Sequence, residues 1–200
     1  MVMCPFPGRL GRFLRDDDRG TVGAESIIML PLLLWAFLAM FVYWDAFRTQ
    51  NASEKAAYVI GDMISRESNP ITSAYVDGMG DLFDYLTQER FPTSVRISSI
   101  AWDAVTEDYA VIWSDTSDGS PVLTTDIVEQ WDAILPIIPA GDTVILVETV
   151  LDYEPVFAVG LSARQLRQFI YTRPRFVTAI GHADVPGSAT GIPGEVPVAG

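Results

Sequence analysis

The sequence predicts an α+β fold: a long N-terminal transmembrane helix that continues into a small extracytoplasmic head, where helices pack on a mainly antiparallel sheet. Three observations carry this expectation. Nineteen consecutive residues, Ser26 to Trp44, hold no charge. Apolar residues at helical spacing continue beyond them as far as Leu86. From Ser94 onward the pattern changes to short runs of Val, Ile and Trp separated by turn residues, as strands require.

The uncharged run reads SIIMLPLLLWAFLAMFVYW. At a rise of about 1.5 Å per residue it covers roughly 28 Å, close to the ~30 Å hydrocarbon core of a bilayer. Tyr43 and Trp44 stand where an interfacial aromatic belt lies, and Pro31 falls near the start, where it disturbs little of the hydrogen-bond ladder. A cleaved secretory signal has a shorter apolar core and a small-residue cleavage site. The segment YWDAFR offers no such site. Arg9, Arg12, Arg15 and Arg19 precede the span, whereas Arg48 and Lys55 alone follow it closely, so the positive-inside tendency puts the N-terminus in the cytoplasm.

After the span, Ala46, Phe47, Ala57, Tyr58 and Ile64 keep a helical period, and Ser68-Asn69-Pro70 ends it near Arg66. Thr72 to Gln88 forms a second helix with Val76, Met79, Leu82, Phe83 and Leu86 on one face, weakened by Gly78 and Gly80. Ser94–Asp103 and Tyr109–Ser114 make a hairpin about the break Thr106-Glu107-Asp108. Thr125 or Asp126 caps a short helix through Ile134, stopped by Pro136 and Pro139. Thr143 to Tyr153 is an apolar strand with Glu148 embedded in it. Leu166 to Val177 is a last strand or extended segment, interrupted at Pro174. From Gly181 the chain is rich in Gly and Pro and reads as a flexible tail containing His182. The domain plan is therefore a leader (1–20), a transmembrane and stalk helix (21–67), a head (68–180) and a tail (181–200).

Charge narrows the function classes. The net charge is −13; in residues 1–20 four arginines against three aspartates leave +1, so the rest of the chain carries −14. A body so acidic repels nucleic acid, which needs clustered Lys and Arg. Cys4 is the only thiol, so no internal disulfide forms, and no Cys or His pair has zinc-ligand spacing. No cofactor is implied. Lys55 is the sole lysine, and no phosphate-cradling glycine loop accompanies it. His182 offers a Ser-His-Asp arrangement only a base in the tail. Asp115 and Asp118 lie in a Ser/Thr/Gly loop but lack the spacing of a helix–loop–helix calcium site. Trp102, Trp113 and Trp131 fall inside the expected elements and read as core.

Glu25 stands at the entrance to the apolar run, where a carboxylate is costly unless it faces water or a partner charge. The segment Arg19-Gly20-Thr21-Val22-Gly23-Ala24-Glu25, followed by the apolar run with its early Leu30-Pro31, resembles the start of TadE/TadG-like proteins. These are pilin-like components of the tight-adherence (Flp-type) pilus machinery. The stretches VRISSIAWD, YAVIWS, GDTVILVETVLDYEPVF and YTRPRFV are similar to segments of TadE-like bodies, so the resemblance covers about residues 19–178. Ser26 departs from the family pattern, which usually has an aromatic residue there.

The resemblance implies a non-enzymatic minor or accessory subunit, adhesive or secretory in role and similar to a pseudopilin. It implies cutting by a prepilin peptidase between Gly20 and Thr21, which makes Glu25 the fifth residue of the mature chain. Its carboxylate then neutralises the N-terminal ammonium of a neighbouring subunit, a charge pair that sets register as well as energy. The implied partners are the prepilin peptidase, other pilin-like subunits, pilus assembly proteins and the bacterial inner membrane, with the head in the periplasm.

Two other function classes stay open. One is a membrane-anchored extracytoplasmic binding module. The other is a carboxylate-dependent hydrolase built on Glu148, Asp152 and Glu154, which strand alternation puts on one face, with Asp142 nearby. Against it stands a solvated strand face whose carboxylates pair with Arg164, Arg167, Arg173 or Arg175.

Overall fold

A computed structural model describes residues 18–88, 90–103, 107–131, 135–139, 142–185 and 188. Its regular elements are helix α1 (Asp18–Ser65), helix α2 (Ser73–Thr87), strands β1 (Thr93–Asp103) and β2 (Asp108–Thr116), a short helix α3 (Thr125–Val128) tightening into a 3₁₀ turn (Glu129–Trp131), and strands β3 (Thr143–Tyr153) and β4 (Arg164–Thr172). The α+β class and the antiparallel sheet agree with expectation. Residues 1–17 of the leader lie outside the described residues, as does most of the tail, and residues 18–20 belong to α1.

The chain divides into two compact units. The first holds α1 as far as Trp44 together with the loop Val156–Leu161. In it the side chains Ile27, Ile28, Leu30, Leu33 and Met40 are exposed, although nothing about them is polar. From Glu25 the helix is long and apolar enough to cross a membrane, with a mean hydropathy of 2.3 over its most apolar stretch, consistent with a single-pass anchor. Pro31 is accommodated within the helix.

The second unit runs from Asp45 to Pro155 and resumes at Ser162. Here α1 becomes one-sided. Ala56, Ala57, Ile60 and Ile64 are buried, while Glu54, Tyr58 and Met63 face outward. Gly61 is where the helix meets the sheet, since a Cβ there would lie 3.1 Å from Ile170 Cγ2. α2 starts on Thr72, whose hydroxyl accepts from the Tyr75 amide at 3.2 Å. It ends on Gln88 in the left-handed region, whose N–H reaches back to the carbonyls of Asp84 and Tyr85.

The four strands are ordered β2-β1-β3-β4, with every neighbouring pair antiparallel. One face carries Val95, Ile97, Ile145, Val147, Leu151 and Ile170, and it receives α1 through Ile170. The other carries Ile100, Val144 and Leu146, which form a cluster with Tyr109, Leu123, Val128, Leu135 and Ile138. Each fully buried aliphatic side chain contributes about 1.5–3 kcal/mol relative to exposure, so both layers matter to stability. In β2 the register skips Ile112, pairing Trp113 with Ser99 but Val111 with Ile100. This bulge sends Trp113 and Val111 to opposite faces, against simple alternation.

The bounds of two elements are refined. α3 is α-helical to Val128 and continues as the 3₁₀ turn to Trp131; residues 132–134, the rest of the expected helix, lie outside the described residues. Its N-cap residue Thr124 makes no side-chain cap bond, and the Thr125 hydroxyl is engaged by the Val111 amide. β4 begins two residues before the expected Leu166 and ends at Thr172, just before the interruption expected at Pro174, because proline brings no N–H to a ladder.

The tail also differs. Residues 181–185 are packed: Ile71 donates to the Gly181 carbonyl and accepts from the Ala183 amide, in a parallel bridge to His182. His182 is only 1% exposed. Its burial against Trp113 and Asp115 outweighs the Gly/Pro composition around it.

Candidate functional site

Gly20 and Thr21 fall in the first turn of α1, at the edge of the described residues. Glu25 lies on the same helix, exposed, and makes no ion pair among the described residues. The three residues are thus neighbours by helix geometry, with Glu25 just over one turn beyond Thr21. Glu25 stands about two turns inside α1, past the first turn in which the helix dipole favours an anion. It is free to meet a cation from another chain.

Just past the apolar run, Asp45 is buried and doubly held. Arg90 Nη1 donates to its Oδ1 at 2.8 Å and Nη2 to its Oδ2 at 3.3 Å, while the Tyr153 hydroxyl reaches Oδ2 at 3.4 Å. The hydrogen bond to Asp45 holds the Arg90 guanidinium above its already high pKa. Burial, and then the negative Asp45, push the Tyr153 phenol up. The Arg90 guanidinium also lies 5.2 Å from the centre of the Phe91 ring, which in turn packs on Tyr153. This cluster ties α1, the α2–β1 connection and the end of β3 together through one carboxylate.

The carboxylates considered for a hydrolase are not brought together as free groups. Glu148 is buried and gripped by Arg96, with Nε to Oε2 and Nη2 to Oε1 both at 2.6 Å. Arg96 also donates to the Pro121 carbonyl at 3.0 Å. Asp152 and Glu154 are exposed. Asp142 pairs with Arg173 at 3.2 Å. The partner of Glu148 is Arg96 on β1, not one of the four arginines the sequence suggested. Arg175 binds Asp62 on α1 at 2.8 Å, and its amide donates to the Ser65 carbonyl.

His182 has a defined place too. Its Nδ1 accepts from the Asp184 amide at 3.3 Å, which leaves Nε2 to carry the proton toward Asp115 Oδ2 at 2.9 Å. Ser188 does not complete a nucleophilic arrangement, since its hydroxyl is bonded to the His182 and Val185 carbonyls and not to the imidazole. Trp113 Nε1 donates to the Ile180 carbonyl and its ring packs on the imidazole. The pair therefore fastens residues 180–185 to β2. Asp118 is occupied by Ser120 in the neighbouring turn.

Sequence reasoning missed Asp45 and Arg96 as structural partners. A charged residue immediately after an uncharged span, and one acid inside an apolar strand, were the available signals; each demands a buried cation somewhere in the chain.

Comparison with known proteins identifies no relative: no family model matches the chain, and neither a curated protein nor a solved structure matches it.

Proposed function

We propose that this chain is a non-enzymatic, pilin-like accessory or minor subunit for assembly of a tight-adherence (Flp-type) pilus or a related secretion apparatus. It resides in the bacterial inner membrane, N-terminus cytoplasmic and head periplasmic. The observation that supports this reading is the division of labour along α1. One helix of 48 residues is uncharged and largely exposed from Ser26 to Trp44, then becomes the one-sided support of a four-stranded sheet. A pilin-like subunit needs such an element, because the same helix must rest in lipid before assembly and against other helices after it.

Glu25 supports the reading as well. It is an exposed carboxylate at the head of an apolar helix, available to the N-terminal ammonium of a neighbour cut at Gly20-Thr21. In a low-dielectric bundle that pair fixes the axial register of the two helices.

The test is N-terminal sequencing of the membrane-resident protein in cells that contain a prepilin peptidase. The expected mature chain begins at Thr21, and Gly20→Ala accumulates the precursor. Met1 on the mature protein would sink the processing step. Failure of pilin-like subunits to copurify after mild detergent extraction would sink the assembly role.

A further inference from the structure

The loop between β3 and β4 runs from Glu154 to Ala163, and its middle, Val156–Leu161, belongs to the same compact unit as the apolar part of α1. Between Pro155 and Ala163 it holds no charge in a chain of net charge −13. Val156 and Phe157 at its tip are 62% and 42% exposed, whereas Val159 is tucked in. The loop is tightly shaped. The Val159 amide donates to the Phe157 carbonyl at 3.0 Å, and Gly160 follows at φ +98°, a conformation closed to most side chains. A Cβ at Gly160 would lie 3.9 Å from the Tyr43 hydroxyl. The loop therefore stands beside the end of the uncharged run, at the level of Tyr43 and Trp44.

We propose that this loop is a second membrane contact, with Val156 and Phe157 inserted into the interfacial layer of the same bilayer that α1 crosses; the inference rests on the reading of α1 as a membrane anchor. Three features select lipid as the occupant. The exposed side chains are apolar, as are the exposed Met40, Phe41 and Trp44 around the Tyr43 that the loop adjoins. Tyr43 and Trp44 mark the depth at which aromatic rings meet headgroups. The acidic body is repelled by an anionic lipid surface, so an uncharged loop is the part of it that approaches. The loop thereby limits the rocking of α1 within the bilayer.

The experiment uses the full chain with Cys4→Ser, reconstituted in phosphatidylcholine vesicles, with single cysteines carrying an environment-sensitive fluorophore. Phe157→Cys and Val156→Cys report on the loop, Leu33→Cys on the apolar helix, and Tyr85→Cys, exposed on α2, on the head. Vesicles doped with shallow or deep nitroxide-labelled lipid act as quenchers. The expected result is a blue shift and loss of emission at both loop positions, greater with the shallow quencher, and loss at Leu33 with the deep one. Loop labels that behave like Tyr85 while Leu33 is quenched would overturn the loop contact and leave the anchor standing. Loop labels shielded from a water-soluble quencher yet untouched by the nitroxides mean that protein covers the loop, which also overturns the proposal. If Leu33 is not quenched either, the anchor reading itself falls.

Discussion

Arg96 and Glu148 face each other across the two central strands, joined by a pair of short parallel hydrogen bonds between Nε and Oε2 and between Nη2 and Oε1. Glu148 is buried and the Arg96 side chain is about three-quarters so, which limits the screening of the pair by water. Removing one member leaves the other desolvated without its counter-charge. Glu148→Gln or Arg96→Met alone should lower stability by about 3 kcal/mol. The double variant Arg96→Met/Glu148→Leu should recover most of that loss. Urea denaturation followed by far-UV circular dichroism checks both; additive losses in the double variant would contradict the pairing.

The two glycines of α2 should respond to alanine with opposite signs. Gly78 has open space where a methyl group would sit, so Gly78→Ala should stabilise by about 0.5–1 kcal/mol through helix propensity. At Gly80 a Cβ would come within 2.6 Å of Ser117 Cβ and 2.8 Å of its Oγ, which itself accepts from the Val95 amide. Gly80→Ala should destabilise by about 1–3 kcal/mol. Thermal melts of the two single variants decide the matter.

Thr149 is fully buried in β3, and its hydroxyl has no hydrogen-bond partner among the described residues. Valine has nearly the same shape without the polar oxygen. Thr149→Val should therefore raise stability by about 1 kcal/mol. A loss of that size in chemical denaturation would show that the hydroxyl is satisfied after all.

Tyr75 gives a pH signature. Its hydroxyl donates to Glu67 Oε1 at 3.2 Å, and burial, then the Glu67 charge and that hydrogen bond, push the phenol up to about 12 from 10.0. A group raised in the fold stabilises it fully below the unfolded value and loses that contribution as pH climbs from 10.0 toward about 12. Between about pH 8 and about pH 11 the wild type should lose more stability than Tyr75→Phe in urea denaturation. Tyr153 and Tyr171 are shifted in the same direction but are common to both proteins, so the difference isolates Tyr75.

Much of this architecture is legible in the sequence because local periodicity and local breakers set it. β3 has the bounds the apolar run suggests, Thr143–Tyr153, and α2 begins on the Thr72 cap. What escapes is set by pairing over long separations. Glu148 meets a partner 52 positions away, chosen by the β1–β3 register and not by any nearby arginine. The β2 bulge reverses the facing of Trp113 relative to Val111, and no residue type there announces it. His182 sits among glycines and prolines that suggest mobility, but its burial is decided by Trp113 and by Asp115, 67 positions earlier. Gly20, Thr21 and Glu25 are legible as a sequence pattern, and the proposed processing there awaits N-terminal sequencing.

The clip at Ile71 has a mechanical meaning. Its amide and carbonyl both engage the segment Gly181–Ala183, and the next turn adds the Ser73 amide donating to Asp184. The near end of the C-terminal segment is thus fastened a few residues past the end of α1. A pull on the far end of the chain would be shared between this short fastening and the grip of Trp113 and Asp115 on residues 180–182, so the helix pair and the β2 edge of the sheet would be loaded together.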